Sequence, residues 1–324
     1  MARRRPSTPG IDGLLLVDKP SGPTSHDVVA KVRRLAGQPR IGHGGTLDPF
    51  ATGLLVFLLG KATRLAGLHL GGAKHYHATF SFGGATTTDD LDGERLGTAG
   101  APPTRATVES LLPRFRGALE QIPPSHSAKR LDGVRAYELA RAGEIVELAP
   151  RAVEVRRFEL TSWDDSRADE PLMEADLEVS SGTYIRALAR DLGAAAGSGA
   201  HLVALRRVGS GDFNVGAAHS MESIALAAGE RRLANLLLPL DAGLDGIPAL
   251  EVATAALPLL ADGATMSSAQ LSPRPSGILD GELVRLVADG ELVALARATA
   301  TGAQPERVFI DARSEGARSE APLP

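Results

Sequence analysis

The chain has 324 residues, 43% of them hydrophobic and 23% charged, an ordinary balance for a soluble globular protein and enough length for one large domain and a small one. It contains no Cys, which excludes disulfides and thiolate metal sites and fits a cytoplasmic location. The net charge of −4 argues mildly against a nucleic-acid partner, but Met1 to Leu70 carries ten basic residues and four acidic ones, a distribution suited to a basic half that meets RNA.

Residues 1–10 include Arg3, Arg4 and Arg5, lack the apolar core of a signal peptide, and read as a disordered basic arm. No apolar segment is long enough to span a membrane. Leu14 to Val17 reads as a short buried strand. Lys19-Pro20 and Gly22-Pro23 then force a turn. Thr24 or Ser25 can cap a helix in which Val28, Val29, Val32 and Leu35 recur at helical spacing, with Gly37 as the stop. Lys19 taken alone is a solvated surface lysine.

Gly42-His43-Gly44-Gly45-Thr46-Leu47-Asp48-Pro49-Phe50-Ala51-Thr52-Gly53 comes next. Three glycines precede Asp48, and Pro49 biases it toward an extended backbone, so a single carboxylate is presented by a stiff loop. Such a group suits nucleophilic or acid–base work. No Gly-Lys-Ser/Thr follows, which rules out a phosphate-binding P-loop. The apolar run Leu54 to Leu59 reads as a buried strand anchoring the loop, and Gly60 to Arg64 as a turn or short helix. Lys74 to Gly83 alternates as a half-buried strand, with Tyr76, Ala78, Phe80 and Phe82 on one face and His75, His77, Thr79 and Ser81 on the other. His75 and His77 could share a metal only with further ligands, and none sits at ligand spacing.

Thr86 to Gly93 reads as turn chemistry, and Thr104 as the cap of a helix through about Phe115. Gln121 to Gly143 reads as a loop and an amphipathic helix. Val153 to Leu160 and Leu172 to Ser180 read as strands joined by an acidic loop. Ser181-Gly182-Thr183-Tyr184-Ile185-Arg186 is a glycine turn running into a helix, and Met221 and then Leu233 to Asp241 read as helical. Beyond Gly246 the pattern changes to short strands at Leu283–Ala288, Leu292–Ala296 and Val308–Ile310, a small β-rich module, followed by a charged tail that reads as disordered.

The Gly42–Gly53 stretch resembles the catalytic motif of the TruB family, the bacterial tRNA pseudouridine-55 synthases. Further stretches agree with it: Lys19-Pro20-Ser21-Gly22-Pro23-Thr24-Ser25, Lys74-His75-Tyr76, Thr86 to Gly93 with Thr87 where Asp is usual, Pro123 to Arg141 with His126 and Arg130 as departures, Gly182 to Gly193, and His201 to Arg207. The resemblance covers about residues 10–245 and implies a pseudouridine synthase fold, mixed α/β around a long, largely antiparallel sheet. It implies a catalytic domain over 11–246, a PUA-like RNA-binding domain over 247–311 and a tail over 312–324. The implied substrate is a uridine at position 55 in the T loop of tRNA, which the enzyme must extrude before it can act on the base. Asp48, Tyr76 and Arg186 would be catalytic: Asp48 acting on the sugar, as nucleophile or as the group promoting cleavage, Arg186 pairing with it and holding it ionised, and Tyr76 stacking on the base and serving as a candidate for the final proton transfer. His43, Tyr76, Tyr184 and Leu205 would bind substrate, His43 by taking the place of the displaced base. Lys19 would stand near the cleft in a structural role, and Arg206 and Arg207 would meet phosphate or solvent. Isomerisation gains and loses no atom, so no cofactor or metal is called for, and a monomer is expected. The rival class is a non-catalytic RNA-binding protein or RNA chaperone on the same fold, against which the intact Asp48, Tyr76 and Arg186 set argues. A metal-dependent hydrolase lacks ligands.

Overall fold

The computed structural model describes residues 10–97, 100–124, 130–131, 134–135, 148–272 and 277–310. Chain contacts divide these into two units. One comprises residues 15–57 and 66–236; the other comprises residues up to 14, 58–65 and those from 237 onward.

The larger unit is built on one mixed sheet. Its strands are β1 (Gly13–Lys19), β2 (Ile41–His43), β3 (Thr52–Leu59), β4 (Lys74–Phe82), β5 (Gly117–Gln121), β6 (Arg151–Asp164), β7 (Leu172–Val179), β8 (Ala200–Ser210) and β9 (Phe213–Asn214). The main path runs β1-β3-β8-β4-β7-β6-β5, with β2 on β3 and β9 on β8. The pairings of β8 with β4, β4 with β7, β7 with β6 and β6 with β5 are all antiparallel, while β3 and β8 run parallel. The largely antiparallel sheet expected from the sequence is present. Strand β3 is buried along nearly its whole length, as its unbroken apolar run requires, whereas β4 is buried on alternate residues over its first half.

Helix α1 (Ser25–Ala36) starts at Thr24, which forms a capping box with Asp27, and is closed by Gly37. The choice between Thr24 and Ser25 as cap therefore falls on Thr24. Helix α2 (Ala66–Leu70) and helix α3 (Arg105–Leu111) follow, the latter capped by Thr104 and continued by a tighter turn to Phe115. Helix α4 (Ile185–Ala195) places Ile185, Leu188, Ala189 and Leu192 on one face. That face packs with Phe80, Phe82, Phe158 and Leu177 of the sheet in one apolar core. Helix α5 (Met221–Gly229) is followed only by a short 3-10 turn, Leu233–Leu236, in place of the longer helix expected to Asp241. Pro239, which lacks a backbone N–H, prevents a regular helix there.

The second unit is β-rich. Strands β10 (Ala249–Glu251), β11 (Met266–Ser267), β12 (Leu283–Ala288), β13 (Glu291–Thr299) and β14 (Gly302–Val308) form a sheet in the order β10-β12-β13-β14-β11. Helix α6 (Leu257–Ala261) covers it, and Leu250, Leu257, Leu286 and Val293 fill the core. The last strand lies earlier than the sequence pattern suggested, over 302–308, because it pairs back on β13 through a tight turn at Thr301. The expectations for residues 1–9, 136–147 and 311–324, and for His126, lie outside the described residues.

Candidate active site

Asp48 stands in the loop between β2 and β3, and three side chains hold that loop by its backbone. Ser25, released from capping by Thr24, accepts from the Leu47 N–H at 2.9 Å and donates to the Leu47 carbonyl at 3.0 Å. Lys19 donates to the carbonyls of Pro49 at 3.0 Å and Ala51 at 2.8 Å, on the other side of the carboxylate, and to Pro20 at 3.0 Å. Arg207 donates to the carbonyls of Leu54 at 2.7 Å, Gly45 at 3.1 Å and Thr46 at 3.4 Å.

Lys19 and Arg207 are both fully buried. For Arg207 this corrects the expectation of a phosphate or solvent contact. A buried guanidinium needs acceptors for its five donors, and the curled loop supplies carbonyls in the right fork. Arg206, the next residue along β8, points the other way on the strand and forms a two-pronged pair with Asp18 at 2.7 and 3.0 Å. Burial lowers the Lys19 pKa to about 8, against the raising effect of Asp48 and with a smaller lowering by Arg207.

The carboxylate of Asp48 receives a parallel fork from Arg186, Nε to Oδ2 and Nη2 to Oδ1, each at 3.0 Å. Arg186 is the second residue of α4, whose apolar face fixes the helix against the sheet. Its side chain is only 4% exposed, while that of Asp48 is 32% exposed, so the cation is buried behind a carboxylate that still faces open space. The remaining nitrogen, Nη1, donates to the Thr88 carbonyl at 2.9 Å and approaches Asp90 Oδ2 at 3.4 Å. Asp90 is itself buried, and burial raises its pKa against hydrogen bonds from Thr88 and the charge of Arg186. The Thr86–Gly93 turn thus supplies a second carboxylate to the same guanidinium. Turn-forming residues were legible there, but nothing in their spacing distinguished this function of Asp90.

Asp48, Tyr76, Tyr184, Arg186 and Leu205 line a single cavity of about 400 Å³. The sheet brings them together by register: Tyr76 stands opposite Arg207, and Ala78 opposite Leu205. Tyr184 precedes α4, and its backbone is clamped by the buried carboxamide of Gln121. The Tyr184 N–H donates to Gln121 Oε1 at 2.8 Å, and Gln121 Nε2 donates to the Tyr184 carbonyl at 3.0 Å. Sequence reasoning missed Gln121, a lone polar residue ending a strand with no motif signal of its own. Lys74, two residues before Tyr76 on the same face of β4, also lines the cavity, and burial next to Arg207 lowers its pKa to about 8.

His43 is not among the cavity-lining side chains. It closes β2 at the start of the loop, its ring 6.0 Å from that of His26 in an edge-on contact. Burial lowers its pKa, against a backbone hydrogen bond at Gly45, so the ring is largely uncharged at neutral pH. His75 and His77 do not form a pair of ligands: the His77 ring bonds to Asp176 across the sheet. Among the described residues no group of His, Asp and Glu has the geometry to hold a metal ion.

A paired carboxylate at the floor of a pocket flanked by two tyrosines suits chemistry on a planar base and its sugar. Comparison with known proteins agrees. Residues 33–185 match the TruB family pseudouridylate synthase N-terminal domain, and residues 186–245 match the tRNA pseudouridylate synthase B C-terminal domain. A tRNA pseudouridine synthase B of Mycobacteroides abscessus is 42% identical over 285 residues, 87% of this chain and 91% of that protein. One of Bradyrhizobium diazoefficiens is 41% identical over 305 residues, 92% of this chain and 86% of that protein. A chain in the structure of an H/ACA RNP bound to a substrate RNA containing 2′-deoxyuridine superposes with a TM-score of 0.69 at 25% identity, covering 93% of this chain and 86% of that one. The fold is that of the pseudouridine synthases. The chain belongs to the TruB family of pseudouridylate synthases.

Proposed function

We propose that the protein isomerises a uridine of tRNA to pseudouridine, and that the uridine is the one at position 55 in the T loop. The observation that carries this reading is the forked Asp48–Arg186 pair at the floor of a cavity bounded by Tyr76, Tyr184 and Leu205. A base held in a folded loop cannot reach such a floor, so the nucleotide is extruded into the cavity and stacks on an aromatic ring. Tyr76 offers that ring from β4. His43, at the end of β2 where the Asp48 loop begins, would take the space the base leaves.

The reaction breaks the bond from C1′ to N1, turns the uracil, and joins C1′ to C5. The proton on C5 leaves and N1 gains one, so the balance closes without cofactor or oxidant. Asp48 acts at the sugar, and Arg186 fixes both carboxylate oxygens so that the exposed edge of the group meets the substrate. Tyr76 takes the C5 proton as general base. Leu205 and Tyr184 exclude water around the detached base. Residues 247–311, whose described part is β-rich, serve as a PUA-like RNA-binding domain that adds affinity.

Asp48→Asn tests the assignment. Asn keeps the shape and the loop contacts but removes the charge. With folding checked by thermal melting, the variant should bind unmodified tRNA transcript at near wild-type strength and form pseudouridine only at background. Chemical mapping of the modified nucleotide in the wild-type reaction identifies the position. Substantial turnover by the variant removes Asp48 from the chemistry and favours a binding protein over an enzyme.

A further inference from the structure

One arginine in the cavity takes no part in the network around Asp48. Arg151 opens β6, opposite Gln121 on β5, and its side chain lines the same cavity as Asp48. The other arginines nearby are committed: Arg186 to Asp48 and Thr88, Arg207 to three loop carbonyls, Arg206 to Asp18. Among the described residues, the Arg151 guanidinium meets neither a carboxylate nor a carbonyl within hydrogen-bond reach.

The guanidinium is nevertheless seated. It lies against Gly182, where an added Cβ would stand 2.2 Å from Nη2 and 2.7 Å from Cζ. Gly182 has φ +80°, in the turn closed by the Thr183 N–H donating to the Ser180 carbonyl at 3.3 Å. Any side chain here would be strained and would also displace the guanidinium. The positive φ calls for glycine by itself, and the absence of a side chain leaves the guanidinium room against the turn that leads into Tyr184, with which it lines the cavity.

Among the described residues, Lys74, Arg151, Arg186 and Arg207 line this cavity with one carboxylate, Asp48, and Asp90 approaches Arg186 from behind at 3.4 Å, so cations outnumber carboxylates. The excess positive charge calls for an anionic ligand. A planar fork with five N–H donors fits two oxygens of a phosphate. We propose that Arg151 is a phosphodiester-binding residue that grips the RNA backbone linkage next to the nucleotide seated over Asp48. The inference rests on the uridine reading above for the identity of that nucleotide. Its role is positional: the contact exists before and after the base moves, so it contributes to binding throughout the reaction and not to the transition state alone.

The test uses the full chain and a short stem-loop RNA carrying the target uridine, with affinity read by fluorescence anisotropy. Arg151→Gln should weaken binding about tenfold and reduce the slope of log affinity against log salt by about one phosphate's worth, roughly 0.7–0.9. KM should rise by a similar factor while kcat at saturation stays within about twofold. Replacing one of the two linkages flanking the uridine by a neutral methylphosphonate should cost the wild type the same factor and cost Arg151→Gln nothing further. Arg151→Lys, which keeps the charge without the fork, should fall between. Unchanged affinity and salt slope in a folded Arg151→Gln overturn the proposal. So do methylphosphonate losses that multiply in the variant at both linkages. If Arg151→Gln does not fold, wild-type binding that tolerates a neutral linkage on either side of the uridine overturns it alone. Because the readout is affinity, failure of the isomerase reading would show separately, as wild-type protein that binds the RNA and makes no pseudouridine.

Discussion

Arg186 shows how much one side chain can organise. Its three nitrogens meet Asp48, the Thr88 carbonyl and Asp90, so that a carboxylate on the β2–β3 loop and another on the Thr86–Gly93 turn are set by one buried guanidinium. Removing the charge of Asp90 leaves the fork to Asp48 in place but loosens the anchor behind it. Asp90→Asn should therefore lower kcat, by up to about 10²-fold if Asp48 shifts by an ångström, with RNA affinity changed less than about twofold. Single-turnover kinetics with a parallel binding titration measure both. A fall in affinity with unchanged kcat would mean that Asp90 serves the RNA and not Asp48.

At the scale of an element, the Thr86–Gly93 turn carries a charge the fold tolerates at a cost. Asp89 has φ 60°, a left-handed backbone that Asp and Asn accept more readily than most residues. Burial raises its pKa to about 6, against the lowering effect of Arg190, which donates to it from α4 at 3.3 Å. The folded protein therefore holds the Asp89 proton more tightly than the unfolded chain does. The stability contribution of this group is greatest below its unfolded pKa and falls as pH rises from about 4 through about 6. Asp89→Asn cannot titrate. Wild-type stability relative to the variant should thus drop on the order of 2–3 kcal/mol between pH 4 and pH 7. Urea melts of both proteins at the two pH values give the difference directly. A constant difference would show that Asp89 titrates in the folded state as it does in the unfolded chain, with no effect of burial.

At the scale of the whole molecule, every side chain placed around Asp48 lies between Lys19 and Arg207, within the larger unit. The other unit gathers distant parts of the chain. Leu14 and Leu238 exchange backbone hydrogen bonds at 3.0 and 2.8 Å, and the Arg64 guanidinium lies 5.3 Å from the centre of the Phe309 ring. Truncation after Gly246 keeps the Leu14–Leu238 pair but removes Phe309 and the five-stranded sheet, and leaves Arg64 without its aromatic contact. It should lower the melting temperature and weaken RNA binding, while turnover at saturating RNA survives. A well-folded truncated chain with no turnover at any RNA concentration would place part of the catalytic machinery beyond Gly246.

Short-range physics was legible in the sequence. The apolar run of β3, the alternation of β4, the Thr24 cap and Gly37 stop of α1, and the glycine turn before α4 each follow from residues within a few positions of one another, and the structure has them all. Family resemblance added the naming of Asp48, Tyr76, Tyr184, Arg186 and Leu205, which line one cavity, and of His43, which stands beside it. What the sequence could not decide was the partner of each long polar side chain. Lys19 taken alone reads as surface, only the resemblance set it near the cleft, and it is buried against the Asp48 loop; Arg207 reads as a phosphate or solvent contact and instead binds the same loop. Ser25 reads as a cap and holds Leu47, and Asp90 reads as a turn residue and holds Arg186. The reason is physical. A backbone pattern depends on local spacing, whereas a buried charge is tolerated only where strands and loops far apart in the chain converge to supply its acceptors, and only the tertiary structure sets where they converge.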